Sequence, residues 1–472
     1  MKKPLIKPFK HQAVSLKHDE KNPYVFDCSD PGTGKTGVRI WSYAKRRRAG
    51  KAGKLLVLAS KSLLRSVWAN DFKKFAPDIN VVVSVTGKHE ESFAKDGDVY
   101  VLNHDAVKWL AKKNKKFFDG FTDLVVDEST AFKHGTSQRS KAAGKVSKWF
   151  DRRCCMTGTP NGRSITDVWH QMMIVDGGSR LGKSFFAFRA ATCEPVQKGH
   201  NVNAVEWHDK EGAEEAVFAM INDVVIRHKF EDCTDIPANH QYTLPYQLTP
   251  LQQRAYDQMA ERAIAEIYGD PLALQKIRLG KKLVAATHVT AINAASVATK
   301  LLQIASGAVY TGEGEKYALV DDQRYHMILD LIEEREHSVC FFFWKHQRDQ
   351  LLQMADKRGI TFSMIDGSVG ERDRERIVRE YQAGKYQALF AHPKSAAHGL
   401  TLTRGTATIW ASPTYDLEIF KQGSKRTYRI GQTQKTENII VIAEGTIDER
   451  VYDAMLVKDA RMTRLLDLFS NF

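Results

Sequence analysis

The stretch DPGTGKT, Asp30 to Thr36, commits this chain to one local geometry before anything else is known of it. Gly32 and Gly34 free the backbone to curl, so that successive N–H groups converge on one anion. Thr33 lies between them, and Lys35 and Thr36 follow where a helix would begin. A lysine at that place reaches the outer phosphates of a nucleotide, and a threonine hydroxyl meets the accompanying magnesium ion. Such a loop needs a strand before it and a helix after it. Tyr24–Phe26 is a short apolar run suited to a strand, and GVRIWSYAKRRR sets Val38, Ile40, Trp41 and Tyr43 among basic residues as a helix would. The full pattern asks for glycine at position 29, where this chain has Ser29.

A second element completes the chemistry. In FTDLVVDEST, Leu124, Val125 and Val126 run into Asp127 and Glu128. An unbroken apolar run of this kind is a strand buried on both faces. Its C-terminal end is where parallel sheets bind their ligands. Asp127 is suited to hold magnesium through water, and Glu128 to polarise an attacking water. With the Lys35 loop, the pair predicts ATP hydrolysis.

The later half alternates in the same way. SVCFFFW (338–344), ITFSMIDG, YQALFAH and TATIWAS are expected strands. HQRDQLLQMADKRG and ERDRERIVREYQAG are expected helices, stopped at Gly359 and just before Gly384. This half has no phosphate loop. It is expected to be a second copy of the α/β unit that serves the nucleotide held by the first. DIPANHQYTLPYQLTP, with three prolines, is expected to be the linker.

Charge points to the partner. The chain's net charge of +14 favours a polyanion, since each cation set against a phosphate releases a counterion. The basic stretches KRRRAGKAGK (45–54) and KIRLGKK (276–282) fit either a DNA contact or a solvated face, and the aromatics of FFAFRA (185–190) fit a core better than a base-stacking platform. The six cysteines form no CxxC pair, no apolar run approaches the ~20 residues of a membrane span, and MKKPLIKPFKHQ lacks the apolar core of a secretory leader. A cytoplasmic protein is expected.

These pieces resemble a known family. KPFKHQ, LLVLASKSLLRSVWANDFKKFAP, RCCMTGTPNGRSITDVW, VIRHKFEDCTDIPANH, MIDGSVGERDRERIVREY and AAHGLTLTRGTATIW follow one another in its order. The most specific stretch is QGSKRTYRIGQTQ, where Gln422, Arg426, Arg429 and Ile430-Gly431-Gln432 fall in register with the family's pattern. The chain thus resembles superfamily 2 helicase-like ATPases of the Swi/Snf-related, double-stranded DNA translocase type. Its lack of accessory readers is similar to bacterial or viral members. The resemblance implies an α/β fold of two tandem RecA-like lobes, with parallel sheets, an ATP cleft between the lobes and helical insertions. Lobe 1 would span 1–235 with an insertion at about 162–225, and lobe 2 would span 236–472 with an insertion at about 248–310. It implies ATP and Mg²⁺ as cofactors. Gln12 would read the base, Gly32, Thr33, Gly34, Lys35 and Thr36 would hold the phosphates, and Thr36 and Asp127 would hold the metal. Catalysis would rest on Lys35, Asp127, Glu128, Gln422, Arg426 and Arg429. Arg426 and Arg429, three apart, are expected to share one face of a helix. Lys61, Ser62, Thr157, Thr159, Gly399 and Thr401 would touch nucleic acid. Duplex or branched DNA is the implied partner.

Two departures stand out. Thr130 occupies the place of a histidine that in the family links ATP to the TGTP element, and Ala397 and His398 stand where the family tends to have glycines. A strand-separating DNA or RNA helicase is the alternative reading, for which 190–210 could supply a short hairpin. An ATP-gated DNA clamp is the third.

Overall fold

The computed structural model describes residues 7–162, 164–197, 205–233, 236–268, 291–310, 317–396 and 400–470. They form two compact units, one reaching to Ile236 and including the C-terminal stretch from Val457, the other spanning Pro237–Leu456.

The first unit is built on seven strands: β1 (Tyr24–Asp27), β2 (Lys54–Ala59), β3 (Val81–Val83), β4 (Val99–Asn103), β5 (Phe121–Asp127), β6 (Arg152–Met156) and, after a separate two-stranded hairpin of β7 (Cys193–Gln197) and β8 (Val205–Asp209), β9 (Val225–Ile226). The sheet order is β3-β4-β2-β5-β6-β1-β9, and every pairing is parallel. Helices cover it and fill its core with Trp68, Phe72, Tyr43 and Ile40. This order makes β5, β6 and β1 consecutive neighbours, and register sets Asp127 and Asp27 level with Met156. The loops leaving these three strands must therefore share one edge of the sheet.

The second unit holds β10 (Asn239–Tyr246), a small hairpin of β11 (Ala308–Tyr310) and β12 (Tyr317–Leu319), then β13 (Ser338–Phe341), β14 (Phe362–Ile365), β15 (Ala388–Ala391), β16 (Ala407–Trp410) and β17 (Thr436–Ala443). Its main sheet runs β10-β17-β16-β13-β15-β14, again all parallel. Helices Lys345–Lys357 and Glu371–Gln382 stop as expected, with Gly359 and Gly384 at positive φ just beyond them. The two units are RecA-like α/β folds. Helices Thr166–Asp176, Phe185–Thr192 and Ala213–Ile221 with the β7–β8 hairpin lie in the first unit, and helices Pro250–Tyr268 and Ala291–Ala305 in the second.

One expectation changes here. The stretch taken for a linker is largely a strand: β10 pairs with β17 over its whole length, Asn239↔Thr436 through Tyr246↔Ala443. Its Pro245 is tolerated because β10 is the edge of the sheet, where a missing N–H costs no ladder bond. The basic stretch 45–54 covers the last turn of helix Lys35–Arg48 and the loop into β2; in that turn Arg46 pairs with the buried Asp123 and Arg47 with Asp98, while Lys45 and Arg48 stay exposed, paired at the surface with Glu20 and Asp78. KIRLGKK lies outside the described residues.

Buried Arg324 ties the second unit together. It is 1% exposed. Its guanidinium donates to the Tyr246 hydroxyl (3.0 Å), the carbonyls of Ala411 (2.8 Å) and Ala305 (3.0 Å) and Ser412 Oγ (2.6 Å), and it pairs with Asp448. Arg324→Met would strip a fully buried carboxylate of its cation, so the second unit should lose about 3–5 kcal/mol, seen as a lower urea midpoint for that unit.

Candidate active site

The loop after β1 is shaped by its glycines. Gly32 and Gly34 have φ of +95° and +83°, a region that favours glycine. A side chain at either would also crowd a neighbour: a Cβ on Gly32 would lie 2.9 Å from the Phe230 ring, and one on Gly34 would lie 2.3 Å from Gln12 Nε2. Gly34 caps helix Lys35–Arg48, so the loop ends at a helix N-terminus, which favours anions. The Lys35 ammonium donates to the carbonyls of Ser29 and, at 3.2 Å, Asp30. Thr33 Oγ1 also donates to the Asp30 carbonyl (2.9 Å), and Thr36, in the first helical turn, is half-buried.

Gln12 is turned toward this loop. Its Nε2 donates to the Thr33 carbonyl (3.1 Å), its Oε1 accepts from Phe9 N (2.9 Å), and His11 Nε2 meets the same carbonyl (2.8 Å). Its amide therefore braces the phosphate loop from the N-terminal helix Lys10–Lys21.

Asp127 and Glu128 end β5, close enough to the loop that the Lys35 charge acts on Asp127. Burial pushes the Asp127 carboxyl up, while a hydrogen bond from Trp68 Nε1 (2.9 Å), Lys35 and the Glu128 amide (3.1 Å) act against it. His104 Nε2 meets the Asp127 carbonyl at 2.8 Å. Glu128 has φ 49° and ψ 56°, the one non-glycine residue at positive φ among those described. Such a conformation costs about 1–3 kcal/mol and persists only where the surroundings impose it. It turns the chain sharply as it leaves the sheet, immediately beside Asp127.

The next residues link this turn to the TGTP element. Ser129 Oγ donates to Gln171 Oε1 (2.6 Å), and Gln171 Nε2 donates to the carbonyls of Pro160 (2.8 Å) and Asp167 (2.9 Å). A polar route thus runs from the β5 turn to TGTP next to Thr130, which is itself buried. Thr157 and Thr159 are 1% and 4% exposed, with Thr159 N donating to Thr157 Oγ1 (3.0 Å). Neither hydroxyl lies at the surface. Lys61 is exposed and Ser62 half-buried in the turn after β2, and Thr401 is exposed in the second unit. Gly399, with Ala397 and His398, lies outside the described residues.

In the second unit, the shared helical face expected for Arg426 and Arg429 is absent. The helix Leu417–Ser424 ends before both of them. The two arginines instead meet at one acceptor, each donating from Nη1 to the Leu400 carbonyl, at 3.2 and 3.1 Å. Arg426 Nε also donates to the Gln422 carbonyl (2.8 Å), and Gln422 is 2% exposed. Gln432 holds this turn: its Nε2 reaches the carbonyls of Thr403, Gly405 and Thr427 at 3.0, 3.0 and 3.2 Å. A polar side chain satisfied at three loop carbonyls fixes the turn without a helix.

The insertion of the first unit divides the FFAFRA aromatics. Phe188 is buried, Phe186 is 72% exposed, and the Arg189 guanidinium lies 4.1 Å from the Trp207 ring centre. The 190–210 stretch does contain a hairpin, β7 with β8 in antiparallel register from Cys193↔Asp209 to Gln197↔Val205.

The SNF2-related domain matches residues 18–291, more than half of the chain, and the helicase conserved C-terminal domain matches residues 323–431. The chain belongs to the SNF2-related family. Protein p41 of Acyrthosiphon pisum secondary endosymbiont phage 1 is 26% identical, with 98% of each chain covered. The SWI/SNF-related matrix-associated actin-dependent regulator of chromatin subfamily A-like protein 1 of Xenopus tropicalis is 24% identical over 95% of this chain and 43% of its own length. This chain therefore spans under half of that relative. A solved SWI2/SNF2 ATPase core from Sulfolobus solfataricus, in complex with double-stranded DNA, is similar at a TM-score of 0.44 and 19% identity, covering 99% of this chain and 95% of that one. As an SNF2-related protein, this chain is an ATPase with helicase-like, ATP-dependent activity. No helix among its described residues is long and apolar enough to cross a membrane.

Proposed function

We propose that this SNF2-related ATPase translocates on double-stranded DNA, coupling ATP hydrolysis to the remodelling of branched DNA or of protein–DNA contacts. The observation that carries the reading is the Lys35 loop and Asp127 at the ends of β1 and β5, the two parallel strands that flank β6, in a chain matched by both SNF2-related and helicase C-terminal domains. Gly32 to Thr36 hold the triphosphate, Gln12 adds contact to the base, and Glu128 orients the attacking water. No group of three or more His, Cys, Asp or Glu among the described residues could hold a metal by itself. Magnesium fits nonetheless, because it keeps most of its waters and needs little more than a hydroxyl and a carboxylate, here Thr36 and Asp127. Bound, it would neutralise charge on the outer phosphates.

Gln422, Arg426 and Arg429 are assigned a catalytic role in the same hydrolysis, the two arginines being held together at the Leu400 carbonyl. Lys61 and Ser62, with Gly399 and Thr401, track the DNA backbone without reading sequence, while Thr157 and Thr159, both buried, brace their own turn instead of meeting the backbone with their hydroxyls. The net charge of +14 supports a polyanionic track.

ATPase activity should rise more with duplex DNA than with single strands or RNA. The logarithm of duplex affinity should fall linearly with the logarithm of salt, with a slope of about −0.9 per phosphate contacted. Stimulation assays at several salt concentrations check both. Equal or greater stimulation by RNA would favour the strand-separating helicase, for which the β7–β8 hairpin is the structural argument.

A further inference from the structure

We propose that Arg227–Phe230 is a positioning strap for the phosphate loop, through which the chain leading into the second unit sets the rate of hydrolysis. The proposal rests on the loop being the ATP site. The strap follows β9, the strand beside β1, and makes contacts along the first half of the loop. The Asp30 carboxylate accepts from Arg227 Nη1 (2.6 Å) and from Phe230 N (3.0 Å). Asp30 N donates to the His228 carbonyl (3.0 Å), and Arg227 Nη1 also reaches the Cys28 carbonyl (3.1 Å). The Phe230 ring occupies the space above Gly32. His228 Nε2 lies 2.8 Å from Ser15 Oγ, so the strap is fixed to the N-terminal helix as well.

These contacts account for the departure at position 29. The Ser29 hydroxyl accepts from His228 N at 3.1 Å, a bond that the pattern's glycine could not supply. They also bear on the catalytic lysine. The two carbonyls that hold the Lys35 ammonium belong to Ser29 and Asp30, the residues the strap grips. The Arg227–Asp30 pair is largely withdrawn from water, at 6% and 16% side-chain exposure, so it is little screened. Beyond Phe230 the chain enters the second unit at Pro237. Displacement of a catalytic group by about 1 Å can cost on the order of 100-fold in rate. A segment that grips the loop and continues into the other unit is therefore placed to convert strain in the connection into a change at Lys35.

The test compares the full-length wild type with Ser29→Gly, Arg227→Lys and Arg227→Ala, with and without saturating duplex DNA. Melting temperature is followed alongside. Ser29→Gly is expected to lower kcat roughly 10-fold while KM for ATP changes by less than about 3-fold, and to lower the ratio of stimulated to unstimulated rate. Arg227→Lys keeps a cation at Asp30 and should recover part of the rate lost in Arg227→Ala. The proposal is overturned if KM rises with kcat unchanged, if stimulated and unstimulated rates fall by the same factor, or if activity follows melting temperature alone. If the wild type shows no duplex stimulation, the translocase reading fails, and the strap is judged on the kcat and KM split of the unstimulated rate.

Discussion

Lys35→Ala should abolish measurable ATP turnover. The ammonium stands at the mouth of the helix Lys35–Arg48 and is held by two loop carbonyls, ready to exchange them for phosphate oxygens. Catalysis of phosphoryl transfer is positioning and charge neutralisation, with little covalent chemistry for the protein to do. Losing one preorganised donor of this kind costs roughly 10²–10³ in kcat, and losing a full charge should cost no less. Glu128→Gln separates binding from chemistry. The amide has nearly the same shape, so the strained turn at Glu128 should survive, and nucleotide should still bind. Hydrolysis should slow by about 10²–10⁴, the usual contribution of a positioned base. Steady-state ATPase beside fluorescent-nucleotide binding measures both. Wild-type turnover in Lys35→Ala would remove the loop from the active site.

Arg429→Ala should reduce kcat far more than it weakens ATP or DNA binding. An arginine meeting charge that develops during phosphoryl transfer supplies about 10³–10⁵ in other phosphate-loop enzymes. Two arginines share the site here, so part of that range should be lost with Arg429 alone. Arg429→Lys should rescue poorly, because an ammonium cannot reproduce the planar fork of a guanidinium. Single-turnover hydrolysis with ATP and DNA both saturating isolates the chemical step. A variant that keeps its chemical step and loses DNA affinity would make Arg429 a backbone contact instead.

What could be foreseen from sequence had a short physical range. The Lys35 loop, the apolar run into Asp127 and the stops at Gly359 and Gly384 depend on neighbours a few residues away, and they appear as expected. Partners distant in the chain stayed hidden. Gln171 lies 42 residues from Ser129 and Trp68 lies 59 from Asp127, so no local pattern announces either bond. The basic run at the end of the phosphate-loop helix reads equally as a DNA contact or a solvated face, and the pairing of Arg46 and Arg47 with Asp123 and Asp98 has no local signature. Arg426 and Arg429 do converge, through a turn pinned by Gln432 rather than through helical spacing. Backbone strain at Glu128 has no signature in residue type, since glutamate is ordinary in every other conformation. β10 is hidden because Pro245 and the flanking Pro237 and Pro250 mimic a linker, and its place at the sheet edge makes Pro245 harmless.

That edge strand has a practical consequence for dissecting the molecule. β17 is flanked by β16 on one side and β10 on the other, so β10 is its only cover on that side. A fragment of the second unit begun at Pro250, where the prolines end, would uncover one side of the eight-residue β17 and leave the N–H and C=O groups of alternate residues there without a partner. Such an uncovered, apolar margin recruits other chains and drives aggregation. An expression boundary placed before Asn239 keeps the margin closed.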